Sequence, residues 1–177
     1  MKLQTKDMLR IALFSALIVL CTYISIPAAV PFTMQTFAVF LALAVLGGKN
    51  GSIAIVVYIL LGAVGLPVFA GGKGGIFALI GPTGGYLTGF ILMGLCFRLI
   101  TNRLGTGTLP IVLALLAGLL LCYAYGTVWF VMLYVRAAKP ITLGAALGMC
   151  VLPFLLPDAL KLTLAMVLAK RLKPLVK

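Results

Sequence analysis

The segment that decides the fold reads Pro153-Phe154-Leu155-Leu156-Pro157-Asp158-Ala159-Leu160-Lys161. It places an acid and a base three residues apart in an otherwise apolar stretch, so on a helix they lie one turn apart on the same face. A charge at the centre of a bilayer costs about 2.5–3.5 kcal/mol on insertion scales, and such charges usually face the interior of a bundle. The pair therefore predicts either a functional site or an ion pair that fixes helix packing.

Two prolines in this segment favour the functional interpretation. Pro153 and Pro157 lack an N–H, so a helix through them leaves the carbonyls of Met149 and Pro153 without partners. Free carbonyls at membrane depth occur only where protein, water or ligand satisfies them. The apolar region Ile141–Leu172 is too long for one straight span, and we expect the two prolines to divide it.

Composition extends the membrane interpretation to the whole chain. Of the 177 residues, 64% are hydrophobic and 9% are charged, a balance that soluble domains do not expose to water. Six spans of about 20 residues would leave only short loops. We therefore predict an all-α integral membrane protein, a compact bundle of six transmembrane helices that forms a single domain over residues 1–177.

Apolar segments and turn residues give the boundaries of the spans. The first segment is too long for the apolar core of a signal peptide and lacks a small-residue cleavage site, so it is kept as a span. Glycine-rich stretches, 71–75 and 81–85, join the third and fourth spans and favour a structured loop over a helix. The predicted spans are Lys6–Ile26, Thr33–Leu46, Ser52–Leu66, Tyr86–Ile100, Leu109–Val135 and the divided region Ile141–Leu172.

Basic residues near the ends of the spans give the orientation. There are 14 Lys and Arg against two acids, for a net charge of +12, but they form no run of the kind that binds nucleic acid. With both termini cytoplasmic, the basic residues concentrate inside, and the glycine-rich loop and Asp158 lie toward the outside. The inner set is Lys2, Lys6, Arg10, Lys49, Arg98, Arg103, Lys170, Arg171, Lys173 and Lys177, and the outer set is Lys73, Arg136 and Lys139.

Missing residue types exclude several kinds of chemistry. The chain has no histidine, which removes Ser-His and Cys-His catalysis and most zinc sites, and two acids are too few for a two-metal centre. We therefore predict no catalytic residues, no metal site and no cofactor. The four cysteines, which we interpret as small buried apolar residues and not as disulfides, are Cys21, Cys96, Cys122 and Cys150.

Several weaker motifs each allow two interpretations. The run 71–75 lacks the Ser or Thr of a phosphate-binding loop, but its N–H groups and Lys73 form either an anion-holding nest or a tight turn with positive φ. Thr33 and Gln35 either orient a small ligand or cap the second span. Glycines at every fourth position, Gly81, Gly85, Gly89 and Gly144, Gly148, predict internal helix packing. The aromatic residues interpreted as interfacial are Tyr123, Tyr125, Trp129 and Tyr134.

Taken in order, four motifs resemble the BioY family, the biotin-specific S components of energy-coupling-factor (ECF) transporters. They are Pro31-Phe32-Thr33-Met34-Gln35-Thr36-Phe37, Gly65-Leu66-Pro67-Val68-Phe69-Ala70-Gly71-Gly72, Gly81-Pro82-Thr83-Gly84-Gly85-Tyr86 and Pro157-Asp158-Ala159-Leu160-Lys161. The resemblance implies a protein that captures biotin from outside and works with a transmembrane coupling subunit and two cytoplasmic ATPase subunits. It assigns Asp158 and Lys161 to the biotin head, and Ala12 and Ala16 in the first helix to docking on the coupling subunit.

This resemblance agrees with the chemistry of the candidate residues. An ionised Asp158 can accept from the N–H groups of a ureido ring while Lys161 donates to its carbonyl. The chain has no ATP-binding signature, so partner subunits would bind and hydrolyse the ATP. We expect the protein to lie in the cell membrane of a prokaryote. The predicted substrate-binding residues are Asp158, Lys161, Thr33, Gln35, Phe69, Gly71, Gly72, Gly74, Gly75 and Tyr86.

Three other classes of function stay open at this point. A self-contained carrier or channel for another small solute is the main alternative, although the sequence shows no convincing inverted repeat. A membrane enzyme would need a nucleophile and a base, and no such pair is visible. A purely structural assembly protein would not require Asp158 and Lys161 at membrane depth.

Overall fold

The structure, a computed structural model, describes residues 4–28, 30–138 and 141–176. This part of the chain is mostly helical, as predicted, with one small antiparallel sheet in which Ser25 pairs with Thr33 and Ile26 with Phe32. The elements in chain order are α1 (Thr5–Tyr23), β1 (Ser25–Ile26), β2 (Phe32–Thr33), α2 (Gln35–Ala63), α3 (Ile76–Ile80), α4 (Gly84–Leu104), α5 (Thr108–Arg136), α6 (Leu143–Cys150) and α7 (Leu152–Val176).

α2 is a helical hairpin and not one straight rod. Gly47 has φ 77° and ψ 173°, a conformation open to glycine and strained for other residues. The chain reverses there, and its two halves, 35–46 and 48–63, pack together so closely that a Cβ at Gly51 would lie 2.9 Å from the Leu43 Cα. The predicted second and third spans are therefore separate antiparallel segments, with the turn confined to a single residue.

The glycine-rich segment between α2 and α4 is more ordered than the sequence indicated. It contains the five-residue helix α3, where a loop without helix was predicted. The Trp129 indole of α5 donates a hydrogen bond to the Gly81 carbonyl at 3.0 Å, and the Tyr23 hydroxyl of α1 donates to the Pro67 carbonyl. Two helices thus hold this segment against the end of the bundle.

α4 and α5 approach closely because glycines line their contact. A Cβ at Gly85 would overlap Trp129, and a Cβ at Gly89 would lie 2.9 Å from the Cys122 Sγ. Small residues at such positions let two helix backbones come together, so the predicted packing role of these two glycines is confirmed.

Gly144 and Gly148 on α6 do not follow that prediction. No described atom lies within 4 Å of the Cβ that either residue would carry, so internal packing is the wrong interpretation for this pair. The physical reason is that α6 buries only Ala146 and Cys150 against the bundle. The two glycines lie on its open side.

The last apolar region divides at one of the two prolines. The helix is interrupted at Val151, where φ is −126° and ψ is −57°, and α7 begins one residue later. Pro153 lies in the first turn of α7, where its missing N–H has no intrahelical partner to lose. Pro157 lies inside α7, and the helix continues through it, so the prediction that both prolines divide the region is wrong for Pro157.

Large apolar side chains cover the outside of the bundle. Leu20, Leu60, Leu120 and Leu156 are all more than half exposed, which suits lipid and would be unfavourable in water. Within the described residues, four helical segments are long and apolar enough to cross a membrane: α2, α4, α5 and Leu143–Pro174. α1 packs beside them and carries Lys6, Asp7 and Arg10 in its first two turns.

Most of the described basic residues lie at the end of the bundle opposite to the glycine-rich segment, which itself carries Lys73. α1 starts at the end where α2 turns, since Ser15 in its middle donates to the Ala54 carbonyl and Tyr23 at its end donates to the Pro67 carbonyl. Arg98, near the end of α4, is also there, because a Cβ at Gly48 would lie 2.6 Å from its Cα. Lys170 and Lys173 lie at this same end, where they line a small cleft with the first residues of α5. The predicted residues Lys2, Lys139 and Lys177 fall outside the described part of the chain.

We expect Gly85→Ala to destabilise the protein by about 1–3 kcal/mol, because the added methyl group overpacks the contact with Trp129. Thermal unfolding of the purified protein in detergent measures this effect. Gly144→Ala is the matched control, since its methyl group would meet no described atom. Equal melting temperatures for the two variants would contradict the close approach of α4 and α5.

Candidate ligand-binding site

A cavity of about 460 Å³ opens at the end of the bundle that carries the glycine-rich segment. This volume falls within the usual range for small-molecule sites. Most of its wall is apolar, and several of its polar groups are joined by hydrogen bonds. The apolar lining includes Phe69, Phe77, Phe90, Leu119 and Phe154.

Asp158 and Lys161 form a buried ion pair in the wall of this cavity. Their side chains are 1% and 5% exposed, and the Lys161 Nζ lies 2.8 Å from the Asp158 Oδ1. The Thr36 hydroxyl donates to the same Oδ1 at 2.8 Å and accepts from the Lys161 Nζ at 3.1 Å. On the other side, the Tyr123 hydroxyl donates to the Asp158 Oδ2 at 2.5 Å. α2, α5 and α7 thus meet at one carboxylate.

One aromatic ring lies over the ammonium group of this pair. The Lys161 Nζ lies 4.2 Å from the centre of the Phe32 ring, within the range of a cation–π interaction. Phe32 stacks in turn on Phe154, with ring centres 6.1 Å apart. The small sheet therefore has a clear role, because β2 delivers Phe32 to the ion pair.

Gln35 belongs to a second polar group beside the ion pair. Its Nε2 donates to the Tyr58 hydroxyl oxygen at 2.8 Å, and the Tyr58 hydroxyl donates to the Val68 carbonyl at 3.3 Å. The Thr33 hydroxyl accepts from the Gln35 backbone N–H at 3.2 Å, as in a side-chain turn at the start of a helix. Thr33 and Gln35 thus hold the start of α2 and also line the cavity.

The glycine-rich segment contributes only part of its predicted residues to the cavity. Phe69 and Gly74 line it, as does Lys73, which is exposed and marks the mouth. Gly71, Gly72 and Gly75 have φ values of 74°, 69° and 85° and do not line the cavity.

The backbone N–H groups of this segment are partly used by the protein itself. The Gly75 N–H donates to the Gly62 carbonyl at 2.7 Å, and Phe69 and Lys73 exchange backbone hydrogen bonds. These bonds favour the tight turn over the anion nest for Lys73 and Gly75. A ligand contact of Gly71, Gly72 or Gly75 stays a prediction.

Tyr86 is part of α4 and lines the cavity, where a ligand-binding residue must lie. Its hydroxyl lies 2.9 Å from the Thr127 hydroxyl, and one of these two hydroxyls keeps a hydrogen for another acceptor. Gly126 leaves the space that the Tyr86 ring occupies, because a Cβ there would overlap it.

Two residues of the ion-pair network, Thr36 and Tyr123, were not among the predicted binding residues, although Thr36 stands in the motif 31–37. Thr36 stands directly after Gln35 in a polar stretch, so a signal existed. Tyr123 was interpreted as interfacial, and that interpretation is wrong, since it is 7% exposed and bonds to Asp158. It lies 35 residues from Asp158 in the chain, inside a long apolar helix, and only tertiary packing brings the two together.

The structure also places the cysteines and the two alanines of the first helix. Among the described residues no group of three or more potential metal ligands occurs. Cys21, Cys122 and Cys150 are buried free thiols, as predicted, but Cys96 is only partly buried, so that interpretation is wrong for Cys96. Ala12 and Ala16 are both exposed on α1, next in the chain to the buried Ile11 and Ser15.

Comparison with solved structures defines the class of fold. The structure of an S-component for biotin from an ECF-type ABC transporter matches with a TM-score of 0.84 and 24% identity, over 98% of this chain and 95% of that one. The S component of a bacterial ECF transporter matches with a TM-score of 0.57 and 18% identity. This chain therefore has the fold of an ECF S component.

Comparison of sequences gives the family. Residues 1–177 match the BioY family. The biotin transporter BioY of Thermotoga maritima is 42% identical over 96% of this chain and 97% of its own length. A probable biotin transporter BioY of Pyrococcus horikoshii is 39% identical over 97% and 98%. The chain belongs to the BioY family, as its motifs indicated. These relatives are transporters, which confirms the prediction that the chain is not an enzyme.

We expect Tyr58→Phe to destabilise the protein by about 1–3 kcal/mol, because it leaves the buried Gln35 amide and Val68 carbonyl without their partner. Thermal unfolding in detergent measures the loss. Tyr125→Phe is the control, since Tyr125 is 36% exposed and its hydroxyl makes no hydrogen bond among the described residues. A Tyr58→Phe protein as stable as the control would show that this hydroxyl is not needed.

Proposed function

We propose that this chain is the biotin-binding membrane subunit of an ECF transporter, which captures biotin from outside the cell. Membership of the BioY family and the names of the relatives support this proposal. The observation that carries it is the buried Asp158–Lys161 pair in the wall of an apolar cavity that has Lys73 at its mouth. Such a cavity suits a ligand with a neutral polar head, an apolar middle and an anionic end.

Biotin has these three parts. Its ureido ring carries two N–H donors and one carbonyl acceptor, and Asp158 and Lys161 together offer an acceptor and a donor. The thiophane ring and valeryl chain would lie against the aromatic and aliphatic wall, where their burial is favourable. Its carboxylate would reach Lys73 at the mouth and the Tyr86 hydroxyl in the cavity wall, so that it stays solvated or paired.

Delivery of biotin inward would depend on other proteins. The chain has no ATP-binding signature, so the energy would come from a transmembrane coupling subunit and two ATPase subunits of an ECF module. Ala12 and Ala16 form a small-residue surface on the exposed side of α1, and such surfaces allow close contact between helices. We infer that this face docks on the coupling subunit within a prokaryotic cell membrane, and that residues 1–177 act as one domain.

We expect Asp158→Asn to lower the affinity for biotin at least tenfold, because hydrogen bonds to charged groups contribute about 1.5–3 kcal/mol and Lys161 is left without its partner. Calorimetric titration of the purified protein measures the change. Asp7→Asn is the matched control, since it makes the same substitution at the other acid, which pairs with Arg10 far from the cavity. Unchanged affinity in a well-folded Asp158→Asn protein would return the pair to a structural role.

We expect Ala12→Leu together with Ala16→Leu to abolish ATP-driven biotin uptake in vesicles and to leave biotin binding unchanged. The added bulk would block close approach of a partner helix without reaching the cavity at the other end of the bundle. Ala124→Leu, on the exposed side of α5, should keep uptake. If uptake and co-purification with the coupling subunit both survive the double substitution, α1 is not the docking surface.

A further inference from the structure

The hydrogen bonds already made by Asp158 leave it little capacity for a ligand. A carboxylate has about four lone-pair positions, two on each oxygen. The Oδ1 accepts from Lys161 and from Thr36, both at 2.8 Å, and the Oδ2 accepts from Tyr123 at 2.5 Å. One acceptor position therefore remains, and it is on the Oδ2.

Thr36 holds the two charged groups of the pair in one arrangement. Its single hydrogen is donated to Asp158, and its oxygen accepts from Lys161, so its hydroxyl is fully used. Lys161 has three N–H groups. Two of them are directed to Asp158 and Thr36, and the third has no oxygen acceptor in the described part of the chain.

One open acceptor beside one open donor matches one edge of a cyclic urea. On that edge an N–H and the carbonyl oxygen lie side by side, and they would pair with Asp158 and Lys161. The second N–H lies on the opposite side of the carbonyl and points away. Asp158 cannot serve both N–H groups, so the second needs another acceptor.

Gln35 supplies that acceptor because its amide nitrogen is turned toward Tyr58. The Gln35 Nε2 donates to the Tyr58 hydroxyl oxygen at 2.8 Å. The Tyr58 hydrogen is donated to the Val68 carbonyl at 3.3 Å. In this orientation the Gln35 Oε1 accepts from no described group and is free for a ligand.

The free oxygen of Gln35 is also in the right part of the molecule. Gln35 lines the cavity, and its neighbour in the chain, Thr36, bonds directly to Asp158. No described side-chain nitrogen or oxygen is both inaccessible and without a partner, so the unpaired Oε1 keeps contact with open space. The cavity is the open space that Gln35 lines.

We propose that the site recognises the two ureido N–H groups of biotin with different acceptors, Asp158 Oδ2 for one and Gln35 Oε1 for the other. Thr36 and Tyr123 are positioning residues, which restrict Asp158 to a single open position. Asp158 and Lys161 alone would bind the N–H and carbonyl of any cyclic amide, and Gln35 is the residue that selects a urea. This inference rests on the proposed function.

A crossed titration with three ligands tests it. The ligands are biotin and its two isomers methylated on one ureido nitrogen, and the proteins are the wild type, Asp158→Asn and Gln35→Met. Each substitution should weaken biotin about tenfold or more. The penalty of Asp158→Asn should vanish with one isomer, whose methyl group has already removed that contact, and the penalty of Gln35→Met should vanish with the other isomer.

Each outcome of the crossed titration decides a different question. Wild-type protein that fails to bind biotin would overturn both the proposed function and this inference. Biotin binding with both penalties removed by the same isomer, or by neither, would overturn the inference and leave the proposed function intact. Melting temperatures near that of the wild type confirm that the variants are folded.

The positioning residues are tested by the affinity ratio of the two methylated isomers. Tyr123→Phe removes a hydrogen bond that holds Asp158 in place, so it should weaken the isomer that still uses Asp158 more than the other isomer and change the ratio, while Tyr125→Phe should leave it unchanged. Thr36→Val should move it in the same direction, and Thr36→Ser, which keeps the hydroxyl, should restore it. A purely structural role would weaken both isomers equally and leave the ratio constant, which would contradict the assignment.

Discussion

The buried ion pair between Asp158 and Lys161 is the interaction on which the rest of the site depends. Removing charges from water costs on the order of several kcal/mol per ion, and their mutual attraction offsets that cost only when the other lone pairs and N–H groups are satisfied. Thr36 bridges the two groups, Tyr123 covers the second carboxylate oxygen and the Phe32 ring lies over the ammonium. Helices α2, α5 and α7 and strand β2 must therefore keep their relative positions.

Close helix packing makes room for this arrangement. The glycines of α4 let α5 approach it closely, and Gly126 of α5 leaves the space that the Tyr86 ring fills beside the cavity. The hairpin at Gly47 has a similar effect, because it folds the two halves of α2 together and lets Tyr58 orient Gln35. Small residues at a few contacts thus determine which polar groups face the cavity.

Charge is distributed unevenly along the bundle. The cavity lies at the end with the glycine-rich segment, and most described basic residues lie at the other end, where the acid Asp7 pairs with Arg10. The chain has 14 basic residues and two acids, and Asp158 is paired with Lys161. The other positive charges at the basic end are therefore balanced by anions outside the chain. That asymmetry suits a membrane protein with one ligand-facing end and one partner-facing end.

The sequence by itself determined the helical class, the separation of the second and third spans, and the Asp158–Lys161 pair, because hydrophobic length, glycine turns and an i, i+3 charge spacing are local signals. Only the tertiary structure decided that Tyr123 is a site residue, that Pro157 continues a helix and that Gly144 and Gly148 lie on an open face. Each of these depends on what a distant segment places next to the residue. The orientation of the Gln35 amide is of the same kind, since its Nε2 bonds to Tyr58, a residue on the other half of the α2 hairpin.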